Sequence, residues 1–187
     1  MMCLFSFKTS QGNVVPCGKC HDCRQRLRGE WSIRVSDEAK TSLTSHFLTL
    51  TYNDESLPIL SEEGEISRLG KPGLDFSSTW KPTLEKRDHT LFMKRLRIYQ
   101  RRHTEFSSHN IRFFMCGEYG SKTYRPHYHY ILFNVHKHTM QNLDKIWKYG
   151  HFKVGSVSME SIHYVTGYMH KKQYHPDYTM KPFSEQS

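Results

Sequence analysis

Two runs rich in β-branched and aromatic residues, IRFFMCGE at 111–118 and HYHYILFNV at 127–135, flank the linker YGSKTYRP. Such runs read as strands. Pro126 stands at the entrance of the second, where a missing N–H does least harm. Strands joined this closely predict an antiparallel hairpin. If it closes tightly on 119–126, Glu118 lies opposite His127 and Cys116 opposite His129. HFLTLTY at 46–52 alternates Leu48 and Leu50 with Phe47, Thr49 and Thr51 and adds another strand.

Helical spacing fills the intervals. Leu27, Trp31, Val35 and Ala39 recur at i+4 over 24–40, with Arg24, Arg26, Arg28 and Arg34 elsewhere on the wheel. Asp88 is the expected N-cap of a helix to about residue 102 with Phe92, Leu96 and Tyr99 inward. Further along, a helix over 139–148 with Met140, Leu143 and Trp147 inward, a strand at 151–157 and a last helix at 159–172 complete the order. Proline and glycine through 53–82 predict an irregular loop or small hairpin. Residues 173–187 read as a loose polar tail. At 187 residues the chain suits one domain, with residues 1–24 forming a cysteine-bearing N-terminal segment.

Lys and Arg outnumber Asp and Glu by 27 to 18, and Phe, Trp and Tyr make up 13% of the chain. A basic, aromatic chain suits a polyanion whose bases stack. The outer cations of the second helix, Lys94, Arg95, Arg97, Arg101 and Arg102, have no carboxylate close in sequence and are candidate phosphate contacts, a solvated charged face being the plainer reading. No stretch approaches the ~20 apolar residues of a membrane span, and no basic segment leads into an apolar one at the start. Cys17, Cys20 and Cys23 are too tightly spaced for a disulfide framework, so a reducing cytoplasm is expected. Their C-x2-C-x2-C spacing, with Cys3 or His21 as a fourth ligand, could hold a structural Zn²⁺, metal-free thiols being the alternative.

Side chains alternate along a strand, so His127 and His129 share a face, and with Glu118 opposite they would make a two-histidine, one-carboxylate set. Such a mixed set suits Mg²⁺ or Mn²⁺ and phosphate chemistry. Two ordinary sheet histidines are the competing reading. In IHYVTGYMHKK, residues 162–172, a helix places Tyr164 and Tyr168 one above the other, with Lys171 and Lys172 a turn on. Packing alone would explain a tyrosine pair. Joined to a cation that polarises a phosphate, and to lysines that favour the phenolate, the pair predicts attack on a phosphodiester and a covalent phosphotyrosine. Gly167 between them needs a reason such as a close approach.

PCGKCHDCR, FLTLTY, CGEYGSKTYRPHYHYILF and YVTGYMHKK, in that order, resemble the motifs of the HUH endonucleases of rolling-circle replication, and most closely those of the replication initiators of microviruses, especially the gokushovirus group. The resemblance implies an α+β fold, with a central antiparallel sheet flanked by helices of ferredoxin/RRM-like type, and site-specific nicking and rejoining of single-stranded origin DNA in the bacterial cytoplasm. It implies His127, His129 and Glu118 as ligands of Mg²⁺ or Mn²⁺, Tyr164 and Tyr168 as alternating nucleophiles, and Lys171 and Lys172 as supporting cations. Arg95, Arg97, Arg101, Arg102 and Arg125 are candidate DNA contacts, with a host helicase or polymerase as a further partner. Tyr128 departs from the bulky apolar residue that the family name implies between the histidines. The alternatives are a hydrolytic nuclease in which the metal activates water, and a non-catalytic nucleic-acid-binding module with a zinc-stabilised N-terminus.

Overall fold

The computed structural model describes residues 3–71, 80–121, 124–168 and 183–187. A short hairpin, β1 (Phe7–Lys8) with β2 (Val14–Val15), precedes the long helix α1 (His21–Thr41). Then come β3 (Ser45–Tyr52), β4 (Pro58–Leu60), β5 (Ile66–Arg68), β6 (Lys81–Pro82) and α2 (Lys86–His103). The hairpin β7 (Arg112–Tyr119) and β8 (Pro126–Phe133) follows, then α3 (Lys137–Gln141), α4 (Leu143–Ile146), β9 (Gly150–Gly155), α5 (Met159–Gly167) and β10 (Phe183–Gln186). Five strands form one sheet in the order β10-β7-β8-β3-β9, every neighbouring pair antiparallel. The expected α+β architecture, a central antiparallel sheet flanked by helices, is what the chain adopts.

Strand alternation sorts the core into two layers. Leu48, Leu50, Tyr128, Tyr130, Leu132 and Met115 turn to one face and pack against Phe92 and Leu96 of α2. Phe114, Cys116, Ile131 and Phe133 turn to the other, where Val35 of α1 and Ile162 and Val165 of α5 cover them. Tyr128, the departure between the two histidines, is fully buried; its hydroxyl donates to the Glu85 carbonyl at 2.8 Å and accepts from the Glu85 N–H at 2.9 Å. It serves the core and not the histidine face.

Several expectations are corrected. Leu27 is 37% exposed, and only Trp31, Val35 and Ala39 of its stripe reach the core. The cap of α2 is Glu85, whose side chain accepts from the Arg87 N–H. Asp88 is instead buried, accepting from the Tyr52 hydroxyl at 2.6 Å and from Arg68 at 2.8 Å. That ion pair ties α2 to the small sheet β5-β4-β6, the ordered part of the expected irregular region. The helix expected over 139–148 is two short ones broken at Asn142 (φ −115°, ψ 29°), with Met140, Leu143 and Trp147 still inward. Within the expected polar tail, Phe183–Gln186 is an edge strand on β7, where Glu185 pairs with Lys86 and His89. Its pairing rests on backbone bonds and charge, so the polar sequence carries no alternation.

Removing one partner of a buried ion pair leaves the other charge uncompensated and typically costs about 3–5 kcal/mol. Asp88→Ala is therefore expected to destabilise the protein by that amount in urea unfolding with an unchanged slope. A loss below about 1 kcal/mol, the value of an exposed pair, would show that the pair is screened by solvent.

Candidate active site

The hairpin register is the expected one: Glu118 pairs with His127 and Cys116 with His129. On the other side of β8, Thr51 pairs with His127 and Thr49 with His129, so these side chains share one sheet face. The two imidazoles lie parallel, 1° apart in plane, with centroids 6.2 Å apart. Both are tied at Nδ1, His127 donating to the Arg125 carbonyl at 2.7 Å and His129 bonded to the Thr49 hydroxyl at 2.9 Å. An outer bond at Nδ1 fixes a ring and sets the direction of its Nε2.

Glu118 does not stay with the residue directly opposite. Its carboxylate reaches diagonally to His129, with Oε1 2.6 Å from Nε2. The Tyr164 hydroxyl donates to the same Oε1 at 3.2 Å. Burial alone would raise the Glu118 carboxyl, but hydrogen bonds from His129, Tyr168 and Tyr164 more than offset it and hold it below the ordinary carboxylate range. Burial lowers His127, against the pull of its bond to the Arg125 carbonyl, so the ring stays neutral to lower pH than usual. Two imidazoles and a carboxylate are the donor types that a mixed nitrogen and oxygen site for a divalent cation would use.

The tyrosines arrive from α5, which starts in a capping box between Ser158 and Ser161. Ile162 and Val165 seat it on the sheet, and a buried bond of 2.9 Å joins its Thr166 to Ser32 of α1. Tyr168 continues the helical path (φ −71°, ψ −20°). Both rings meet His129, Tyr164 edge-on at 5.1 Å and Tyr168 stacked at 5.9 Å, and their own centroids are 5.0 Å apart. Tyr164 is 44% exposed and open to a ligand. Burial raises both phenols, and Glu118 adds to the rise, so each is held in its protonated form. A Cβ at Gly167 would meet the Arg28 guanidinium of α1 at 3.6 Å, an ordinary contact, so among the described residues no close approach explains the glycine.

The expected cations scatter. Lys171 and Lys172 lie outside the described residues. Arg95, Arg97, Arg101 and Arg102 belong to α2, on the sheet face opposite the histidines. Arg95 lies over Tyr149, Arg97 donates to the Ile111 carbonyl and covers Phe113, and Arg101 and Arg102 are exposed. Arg125 is ion-paired with Asp54 and donates to the Tyr52 carbonyl, so its guanidinium is occupied while its carbonyl orients His127. Residues missed from sequence include Phe47, stacked at 6.0 Å on His129, and Gly120, where a Cβ would press within 3.2 Å of the His127 ring. Thr49 was legible in principle, since it has the facing parity in FLTLTY.

The N-terminal cysteines do converge. Cys3, Cys17, Cys20 and Cys23 have sulfurs all within 4.8 Å of one another, a group that could bind a metal such as zinc. Cys3–Cys20 and Cys17–Cys23 are 3.8 and 3.9 Å apart, close to the edge of about 3.8 Å in a tetrahedron with Zn–S near 2.3 Å. The β1–β2 hairpin brings Cys3 back, whereas His21 is turned to solvent beside Asp22 and Gln25. Cys17 accepts from the Lys19 and Cys20 N–H groups, which lower its thiol to about 6.

Residues 45–173, from β3 through the tyrosine segment, match the family model for the ORF2-type replication-associated protein. The chain belongs to that family. It is 32% identical over 178 residues to replication-associated protein VP4 of Bdellovibrio phage phiMH2K, covering 86% of this chain and 49% of that one. It is 29% identical over 180 residues to replication-associated protein ORF2 of Spiroplasma virus 4 (88% and 50%) and 27% identical over 178 residues to replication-associated protein ORF4 of Chlamydia phage 1 (84% and 38%). The expected kinship with microvirus replication proteins therefore holds. This family member spans half or less of the length of those relatives, and no solved structure matches it.

Outer-shell partners of ligating histidines typically carry 10–100-fold in metal affinity. Thr49→Val, which keeps the strand and removes the His129 Nδ1 partner, is expected to weaken Mn²⁺ binding to the folded protein by that factor in calorimetry. Unchanged affinity would show that His129 is not oriented through Thr49.

Proposed function

We propose that this chain nicks and rejoins single-stranded DNA at a replication origin through a covalent 5′-phosphotyrosine. The observation that carries the reading is the meeting of Tyr164 with Glu118 and His129, a phenol oxygen within hydrogen-bond reach of the carboxylate that touches the central imidazole. The phenol oxygen bonds to phosphorus as the 3′ oxygen leaves, giving a 3′-hydroxyl and a phosphotyrosine. Reversal exchanges one phosphoester for another and needs no nucleotide. Tyr168, ring to ring with Tyr164, would make a second attack from the same helix.

The chain's own groups orient more than they activate. Glu118 aims the Tyr164 hydroxyl, and the Arg125 carbonyl and Thr49 hydroxyl fix the two rings. Because burial and Glu118 keep the phenols protonated, the resting protein is not poised to attack unaided. Mg²⁺ or Mn²⁺ held by His127, His129 and Glu118 would supply the Lewis acid that polarises the scissile phosphate. A host helicase and polymerase then work from the freed 3′ end in the bacterial cytoplasm. Among the described residues no helix is long and apolar enough to cross a membrane.

The cysteine tetrad plays a different part. Four thiolate ligands leave no open coordination position, so a zinc ion there is structural. It would hold the start of α1, whose N-cap, Cys20, makes no side-chain capping bond.

Incubation with labelled single-stranded origin DNA and Mn²⁺ is expected to yield protein covalently attached to the 5′ end, and Tyr164→Phe with Tyr168→Phe to abolish it. Cutting by the double variant at the normal rate would assign the reaction to water and remove the tyrosines from it. For the tetrad, the purified protein is expected to carry one zinc per chain by elemental analysis. Cys20→Ser should lose the zinc and lower the thermal midpoint, while Cys116→Ser, in the core, keeps the ion.

A further inference from the structure

A cavity of ≈ 400 Å³ lies between α1 and α5, walled by Arg24, Gln25 and Arg28 on one side and His163, Tyr164 and Tyr168 on the other. Its size is that of sites holding a nucleotide-sized ligand, and among the described residues no carboxylate lines it. We propose that this cleft seats the phosphate backbone of the single strand beside the cut, with Arg24 and Arg28 as its cations. This rests on the nicking reading only for the identity of the strand.

The arginines of α1 are sorted by face. Arg26 pairs with Glu30 at 3.4 Å, and Arg34 lies over Trp31. Arg24 and Arg28, one turn apart and therefore on one side of the helix, turn to the tyrosines. Arg28 spends one amino group on the His163 carbonyl at 3.0 Å, which fastens its guanidinium across the cleft and leaves further N–H donors. Arg24 has no ion pair among the described residues. Two fork-shaped cations against two phenols, with nothing anionic between them, form a surface complementary to a phosphodiester whose bases stack on rings. The α1 half of the cleft lies ahead of the residues that match the family model.

The test reads binding without cleavage. With metal absent, anisotropy of labelled oligodeoxythymidylate of about 20 nucleotides is followed from about 50 to 200 mM salt for wild type, Arg24→Gln and Arg26→Gln. Both variants remove one charge from the same helix. Arg24→Gln is expected to weaken binding several-fold at low salt and to flatten the slope of log affinity against log salt by about 0.7, the share of one single-strand phosphate. Arg26→Gln should change neither. Gln25→Glu, which adds a carboxylate to the cleft wall, should weaken binding as well. Equal effects of the two arginine variants would reduce the cleft to general charge, and no effect of Arg24→Gln or Gln25→Glu would overturn it. Because no covalent step is read, a failed adduct assay and a failed cleft are separate results.

Discussion

The register of β7 against β8 is the constraint on which the site depends. Strand side chains alternate with a period of two, so a slip of one residue would send Glu118 to the α2 face while the histidines stayed behind. What prevents the slip is the core. Phe113, Met115 and Tyr119 of β7 are buried on the α2 face, and large apolar side chains of this kind are each worth about 1.5–3 kcal/mol on burial. Turning three of them outward would cost on the order of 5 kcal/mol or more, well above what a few site hydrogen bonds recover. Packing on one face thus secures polar geometry on the other.

Legibility in the sequence followed the same physics. Periods of two and 3.6 placed the hairpin register and the stacked tyrosines, because both follow from local geometry. Glu118's diagonal reach to His129 was not legible, since a strand pattern gives the face but not the rotamer. Asp88 looked like a cap because its partner Arg68 sits in a stretch without periodicity, and only folding brings the two together. β10 was invisible for a related reason: an edge strand held by backbone bonds and by Glu185 needs no apolar alternation. Which side of the sheet each helix takes is likewise a tertiary matter. It decides that the α2 arginines stand behind the sheet while those of α1 stand before the tyrosines.

The two prospective metal centres differ in the way their chemistry requires. The cysteines form a closed, four-sulfur cluster at the start of a helix, suited to holding shape. The histidine set is open on one side and bordered by titratable phenols, suited to receiving a ligand. Only the second lies within residues 45–173, which match the family model.

The two halves of the histidine centre are mounted on supports of unequal stiffness. The imidazoles ride on β8, hydrogen-bonded to strands on both sides and therefore stiff. The phenols ride on α5, which leans on α1 through the Ser32–Thr166 bond and the grip of Arg28 on His163. With 21 residues α1 is a rod about 30 Å long, clasped by sulfur at one end. On such a mounting, a slight roll of the rod would shift the phenols and leave the imidazoles where they are.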